Sequence, residues 1–418
     1  MQEFRTDSAY PVISFDEAWA IVMAHVAPRP PVSAPLAELL GLVLAEEVRA
    51  DEDVPAFAAS TMDGYALIAA DAAPQRRVVG EREAGDVAAA ALQPGTATRI
   101  MTGAALPAGA DAVIPVEETR ERGGVVTLAR NPRRGENVRA SGSDLAAGDV
   151  ALPQGVVIGP AEIGLLATVG RTAALVHPRA RVAVAATGNE LVDPGVPLRP
   201  GLVRDSNSYA LAAAIQMAGG VAMRLPRIAD TYDALREALA AAAAQADVII
   251  TSGGVSMGTK DLVKPVLEEL GSVHFGRVAI KPGKPLTYAT IARADGSLCH
   301  VFGLPGNPVS SLVTFEMVVR PVLRRLAGHT ALRRPTATAR LRHATRHEAD
   351  RTEFQRAILQ REDGTYVATV TGPQASSRLK SLAGANALLV IPQGVGDLTA
   401  GAEVAALLID QPETESSA

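Results

Sequence analysis

The segment from Ala246 to Asp261, ADVIITSGGVSMGTKD, constrains the fold more than any other, because it runs an apolar strand straight into a glycine turn that ends on a carboxylate. Val248 to Thr251 read as a buried strand of a parallel sheet, and Asp261 opens DLVKPVLEEL, whose apolar residues recur at helical spacing. A strand-to-helix loop lies between them. Gly253, Gly254 and Gly258 let the backbone bend sharply and turn its N–H groups toward a phosphate, aided by the positive end of the following helix. Asp261 is then placed to hold a magnesium ion beside that phosphate. The pattern is neither G-x-G-x-x-G nor G-x-x-x-x-G-K-S/T, which counts against dinucleotide and P-loop readings. A plain connection between strand and helix is the alternative that this segment alone leaves open.

The surrounding region, from about Pro178 to Ala327, alternates strand and helix as a doubly wound parallel sheet requires: RVAVAAT, DSNSYALAAAIQMAGG, VAMRLPRIA, TYDALREALAAAAAQ and ADVIIT follow one another. Two further loops, VAIKPGKP at Val278 to Pro285 and VFGLPGNPVSS at Val301 to Ser311, also follow apolar runs. In an open α/β sheet such loops gather at the carboxyl ends of the strands, where ligands bind. Lys281 and Lys284 supply cations on a proline-braced loop, which suits an oxyanion or phosphate; a solvated turn is the plainer reading. Asn307 can cap a helix with Pro308 at its first position, and that helix is expected to continue through SSLVTFEMVVRPVL.

The chain has 418 residues, enough for several domains with large cores. Its one cysteine, Cys299, excludes an internal disulfide framework and reads as core packing within SLCHVF. A formal net charge of −5 and the absence of a long basic run argue against nucleic acid as the main partner. MQEFRTDSAY lacks the form of a signal peptide, and the alanine-rich segment near Ala238 to Ala246 is too short and weakly apolar to span a bilayer. No membrane association and cytoplasmic residence are therefore expected.

Residues 51–146 hold short apolar runs broken by Gly and Pro, such as RVVGEREAGDV, DAVIPVEET and VVTLARNPRRGENV, and predict a small β domain inserted into a linking region made of residues 1–50 and 147–177. Residues 178–330 form the α/β domain. Within residues 331–411, TATARLR, EFQRAILQ, TYVATVT, ANALLVIP and EVAALLI are five strand-like pieces that predict a small β-barrel. The fold class is thus multidomain α/β.

TSGGVSMGTKD, IKPGKP and GLPGNPVSS, together with STMDGYA at Ser60 to Ala66, MTGAALP at Met101 to Pro107 and ATGNEL at Ala186 to Leu191, resemble the bacterial MoeA proteins and the E domain of gephyrin over nearly the whole chain. The α/β domain is similar to small molybdopterin-binding proteins of the MogA type. The resemblance implies a molybdopterin molybdotransferase: adenylylated molybdopterin and molybdate yield the molybdenum cofactor, with magnesium-dependent release of AMP. It also implies an elongated four-domain subunit, a homodimer whose cleft uses both chains, and a separate molybdopterin adenylyltransferase as a possible partner.

That reaction sorts the polar residues by two demands. Holding a phosphoanhydride with magnesium suits Asp230 and Asp261 at strand ends and Glu190 in the TGNEL loop, all hard oxygen donors; each is equally readable as a helix cap or loop acid. The glycine turn, with Ser256, is the matching substrate loop. Admitting a tetrahedral dianion suits Arg277, Lys281 and Lys284, with Arg356 in EFQRA and Ser376 in GPQASSRL matching family positions tied to that site. Pro305 and Pro308 shape the loop around the anion. Asp63, Thr102 and Asp144 come from the β domain as catalytic candidates, with turn chemistry as the alternative for Thr102 and Asp144. The family commonly has TGDEL where Asn189 stands here, which keeps an acceptor and drops a charge; a loop-capping role is expected for it. Two rival functions remain: a MogA-like adenylyltransferase, which needs neither β insertion nor barrel, and a non-catalytic gephyrin-like scaffold.

Overall fold

The computed structural model describes residues 10–86, 91–254 and 262–410, and the chain divides into two compact units, Val32–Val176 and Met1–Pro31 with His177–Ala418.

In the larger unit, a six-stranded sheet runs in the order Val221–Arg224, Arg181–Ala186, Val248–Ser252, Leu298–Leu304, Thr287–Ala292 and Ser272–Phe275. The first four strands are mutually parallel, and Thr287–Ala292 is antiparallel to its neighbours on both sides. Alternate residues face opposite layers, which is why these strands read as apolar throughout. Val182, Val184, Val248 and Ile250 pack with Leu211 and Ile215 of the helix Asn207–Met217 and with Val309 and Val313 of the helix Pro308–Thr314. Ala183, Ala185, Ile249 and Cys299 pack on the other side with Leu235 and Leu239 of the helix Tyr232–Ala243 and with Val263 and Val266 of the helix Val263–Leu270. The doubly wound domain is therefore present, and Cys299 is a core residue whose thiol burial pushes up to about 12.

Three local expectations change. The run VAMRLPRIA is a strand only over Val221–Arg224, because Pro226 has no N–H to give a ladder; Ile228 rejoins the sheet edge through one isolated bridge to Thr187. The helix expected to run on from Pro308 changes winding at Phe315–Val319, a π-helical stretch, before Arg320–Leu326. A proline within α-helix clashes with the carbonyl four residues back, and the wider turn ahead of Pro321 relieves that clash. The helix Phe15–His25, expected in the linking region, packs Ala18 and Val22 into the core of the α/β sheet. Its stripe of small and branched apolar side chains needs a partner surface, and the sheet supplies one.

The C-terminal strands Thr352–Glu362, Thr365–Val370, Thr336–Leu341, Glu403–Leu408 and Ala387–Ile391 pair in that order, and the last closes on the first. Closure removes the sheet edges, giving the expected five-stranded barrel around Ala357, Leu359, Leu389 and Ala406. A short strand from the α/β region, Ile280–Lys281, adds to the barrel alongside Thr352 and Glu353. The smaller unit holds a six-stranded sheet in the order Ala112–Pro115, Gly64–Leu67, Thr96–Ile100, Gln75–Arg82, Val125–Leu128 and Thr119–Arg122, and the helix Pro160–Thr168. Among the described residues no helix is long and apolar enough to cross a membrane.

Candidate functional site

The parallel sheet sets where the site lies. Arg181–Ala186 is the first strand of the alternating region, with the next parallel strand, Val221–Arg224, on one side and the following one, Val248–Ser252, on the other. The chain direction of winding reverses between Arg181–Ala186 and Val248–Ser252, and at such a switch point the loops leave a crevice beyond the strand ends. Four loops meet that carboxyl edge: Thr187–Glu190, Leu225–Asp230, the turn opened by Gly253, and Pro305–Asn307.

Their contacts are specific. Gly253 and Gly254 take φ of +95° and +69°, a region that favours glycine, and a side chain at Gly254 would lie 2.9 Å from Val263 Cγ2. Gly253 N–H donates to the Leu304 carbonyl at 3.1 Å. This amide, expected to face a phosphate, instead extends the ladder between the two strands by one residue. Asn207 Nδ2 donates to Ser252 Oγ and to the Gly306 carbonyl, both at 2.8 Å, tying the glycine turn to the PGNP loop. Among the described residues Thr187 Oγ1 is buried without a hydrogen-bond partner, and it lies 3.2 Å from where a side chain on Gly254 would begin. Glu190 is exposed, with its carboxylate folded over the Gly188 backbone, and Asp230 is half-buried two residues beyond Ile228, the residue that bridges to Thr187. Both acids thus stand at neighbouring strand ends, with Asn189 exposed in the turn before Glu190. Ser256, Gly258 and Asp261 lie outside the described residues. Among the described residues no group of three or more His, Cys, Asp or Glu forms a metal cage.

The lysine loop is anchored from below. Gly283 has φ of +117°, and a side chain there would meet Thr314 Cγ2 at 2.3 Å, so the loop lies flush on the helix that follows the PGNP turn. Lys281 Nζ is 3.5 Å from Glu353 Oε1 and 4.0 Å from Glu348 Oε1, while Lys284 is exposed. Arg277 is half-buried at the head of the same segment, and its carbonyl accepts from Ile13 N–H at 3.1 Å.

The barrel meets this edge through the loop around Ser376, whose carbonyl accepts from Val309 N–H at 3.1 Å just inside the helix that Pro308 starts. Arg356 was expected to offer charge to an anion; its donors are instead committed to the protein. Nε and Nη2 donate to Ser381 Oγ at 3.2 and 2.9 Å, and Nη1 donates to the Gln374 carbonyl at 3.2 Å. Nη2 also reaches the carbonyls of Pro373 and Ala375 at 3.3 Å each. Arg356 is wholly buried, and that burial lowers its pKa. It shapes the loop that carries Ser376, because a buried guanidinium is stable only when carbonyls and hydroxyls surround it.

Asp63, Thr102 and Asp144 belong to the smaller unit. Thr102 N–H and Oγ1–H both donate to Asp63 Oδ1 at 2.7 Å, and these bonds hold the exposed Asp63 carboxyl below its ordinary pKa. STMDGYA and MTGAALP therefore meet, as two motifs distant in sequence. Asp144 is exposed, 3.5 Å from Arg139 Nη2. Thr187, Asn207 and Glu353 are the site residues that sequence reading passed over; Thr187 alone carried a signal, as the residue ahead of the GNEL turn.

Fold and site together define an α/β protein with loops gathered at the switch point of its sheet and a barrel bearing on the same edge. The sequence matches the MoeA N-terminal region (domains I and II) over residues 13–170, a probable molybdopterin binding domain over residues 183–325, and the MoeA C-terminal region (domain IV) over residues 338–409. Molybdopterin molybdenumtransferase 2 of Mycobacterium tuberculosis is 40% identical over 389 residues, covering 90% of this chain and 94% of that protein. Gephyrin of Dictyostelium discoideum is 37% identical, covering 88% of this chain and 58% of its own length. The crystal structure of a molybdopterin biosynthesis MoeA protein from Pyrococcus horikoshii superposes with a TM-score of 0.82 at 32% identity, covering 96% of this chain and all of that one. The chain belongs to the MoeA family.

Proposed function

We propose that this chain is a molybdopterin molybdenumtransferase, taking adenylylated molybdopterin and molybdate as substrates and releasing AMP as the molybdenum cofactor forms. One observation carries the reading beyond family membership: Asn207 ties the glycine turn to the PGNP loop, Thr187 ahead of the GNEL turn lies against Gly254, and the lysine loop rests at Gly283 on the helix after the PGNP turn.

In this reading the crevice beside Gly254 takes the phosphates, with the Thr187 hydroxyl, which has no partner among the described residues, as a donor to them. Magnesium fits the donor types, since Glu190, Asp230 and Asp261 offer carboxylate oxygens. When bound there the ion neutralises charge on the phosphoanhydride. Lys281 and Lys284 receive the molybdate dianion as point charges on a rigid loop, and Ser376 faces the same edge from the barrel. In a homodimer, the Asp63 carboxylate, held by Thr102, is contributed by the partner chain. We infer a homodimer acting in the cytoplasm, with a molybdopterin adenylyltransferase supplying the substrate.

Incubation of the purified protein with adenylylated molybdopterin, molybdate and magnesium tests this directly. AMP release coupled to cofactor formation supports it. AMP-molybdopterin made instead from ATP and molybdopterin identifies an adenylyltransferase, and neither product identifies a scaffold.

A further inference from the structure

Glu353 occupies a setting that the reaction does not explain. It sits on the barrel strand Thr352–Glu362, is 1% exposed, and its Oε2 has no hydrogen-bond partner among the described residues. A buried carboxylate oxygen without a donor is costly, so its retention calls for a reason. Strand register supplies the neighbour: Lys281 pairs with Glu353 in the parallel addition of Ile280–Lys281 to the barrel, which brings Nζ to 3.5 Å from Oε1. The two share a cavity of about 530 Å³ at the barrel mouth, lined also by Thr345, Arg346, Gln355 and Gln374. The neutral side chains there are already engaged: Thr345 Oγ1 donates to Gln355 Oε1 at 2.7 Å, Gln355 Nε2 to the Arg346 carbonyl at 2.8 Å, and Gln374 Nε2 to the Arg356 carbonyl at 3.2 Å. The charged groups left to meet a ligand there are the Lys281 ammonium, a third exposed with the Glu353 carboxylate behind it, and the exposed Arg346 guanidinium at the rim.

We propose that Glu353 is a positioning residue that fixes the Lys281 ammonium at the barrel mouth and holds down its affinity for a tetrahedral oxyanion. The proposal rests on the reading above that Lys281 meets the oxyanion. Two effects of the carboxylate oppose each other. It orders a long, flexible side chain, which favours binding, and it repels a dianion that must share the same ammonium, which disfavours binding. The repulsion is the larger of the two, because Glu353 is buried 3.5 Å from the ammonium while the strand pairing and Pro282 already restrict the base of the lysine. A site that must pass molybdate onward gains from holding it weakly.

Glu353→Gln separates the two effects, since its amide oxygen still accepts from the ammonium while the charge is gone. Calorimetric titration of the whole purified chain with molybdate, and with sulfate as an oxyanion that cannot be transferred, is the readout. Glu353→Gln is expected to bind both about tenfold more tightly, with a steeper dependence on ionic strength, and Glu353→Asp to return to the wild-type value. Mere structural damage would weaken binding. Weakened binding in Lys281→Ala with unchanged or weaker binding in Glu353→Gln overturns this proposal alone. Unchanged binding in Lys281→Ala removes the oxyanion role of Lys281 and this proposal with it. Should Glu353→Gln fail to fold, Glu348→Gln, at an exposed carboxylate 4.0 Å from the same ammonium, is expected to tighten binding about twofold, and no change there overturns the proposal.

Discussion

Acid should weaken the larger unit through His300, and the loss can be worked from the structure. His300 is 2% exposed on the strand Leu298–Leu304, and burial, reinforced by His25 and Arg293, lowers its pKa from 6.5 to about 4. Tyr288 Oη lies 3.0 Å from His300 Nδ1, and Tyr288 stacks in turn on His274, which lies against His25 of the helix Phe15–His25. The charged groups near it are Arg293 and Asp247; only Asp247 favours the imidazolium. Below pH 6.5 the unfolded histidine takes up a proton that the folded one refuses, so stability is full above 6.5 and is lost as the pH falls from there through about 4. Between pH 7.5 and pH 5 the two pKa values give a loss of about 2 kcal/mol. His274, lowered by burial and by His25, adds to it in the same direction. His300→Asn keeps an acceptor near the Nδ1 position and costs about 1–2 kcal/mol at neutral pH for the volume removed. Its stability should then fall by about 2 kcal/mol less than wild type on acidification. Urea unfolding at pH 7.5, 6 and 5, followed by the fluorescence of Trp19, the single tryptophan, reports on the unit that holds His300. Equal acid losses in wild type and variant would refute the burial argument.

Three further outcomes test the site. Asp261→Asn should abolish most magnesium-dependent AMP release while thermal unfolding stays at the wild-type temperature; unchanged release removes Asp261 from the metal. Lys281→Ala should raise the molybdate concentration for half-maximal rate more than it weakens pterin binding, and equal losses for both ligands would move the lysine to the substrate phosphates. An Asp63→Ala chain mixed with an Asp261→Asn chain should recover about a quarter of wild-type turnover, since half the dimers are mixed and one site in each has both residues. No recovery, in a mixture shown by mass measurement to contain mixed dimers, would place the whole site within one chain.

The sequence by itself determined the α/β winding and the barrel, because both rest on local periodicity: alternating or continuous apolar runs mark strands, and a spacing near 3.6 marks the helices. It also located the glycine, lysine and proline loops, since each follows such a run, and family resemblance attached chemistry to them. What only the tertiary structure decided are matters of which distant segments pair. Gly253 N–H is taken by Leu304 because the two strands are neighbours in the sheet. Arg356 is turned inward by a loop that closes over it, although its charge read as available. Thr102 reaches Asp63, and Lys281 reaches Glu353, through strand partners far apart in the chain. Periodicity names the face a residue occupies; it cannot name the residue opposite, because register is set by the packing of the whole sheet.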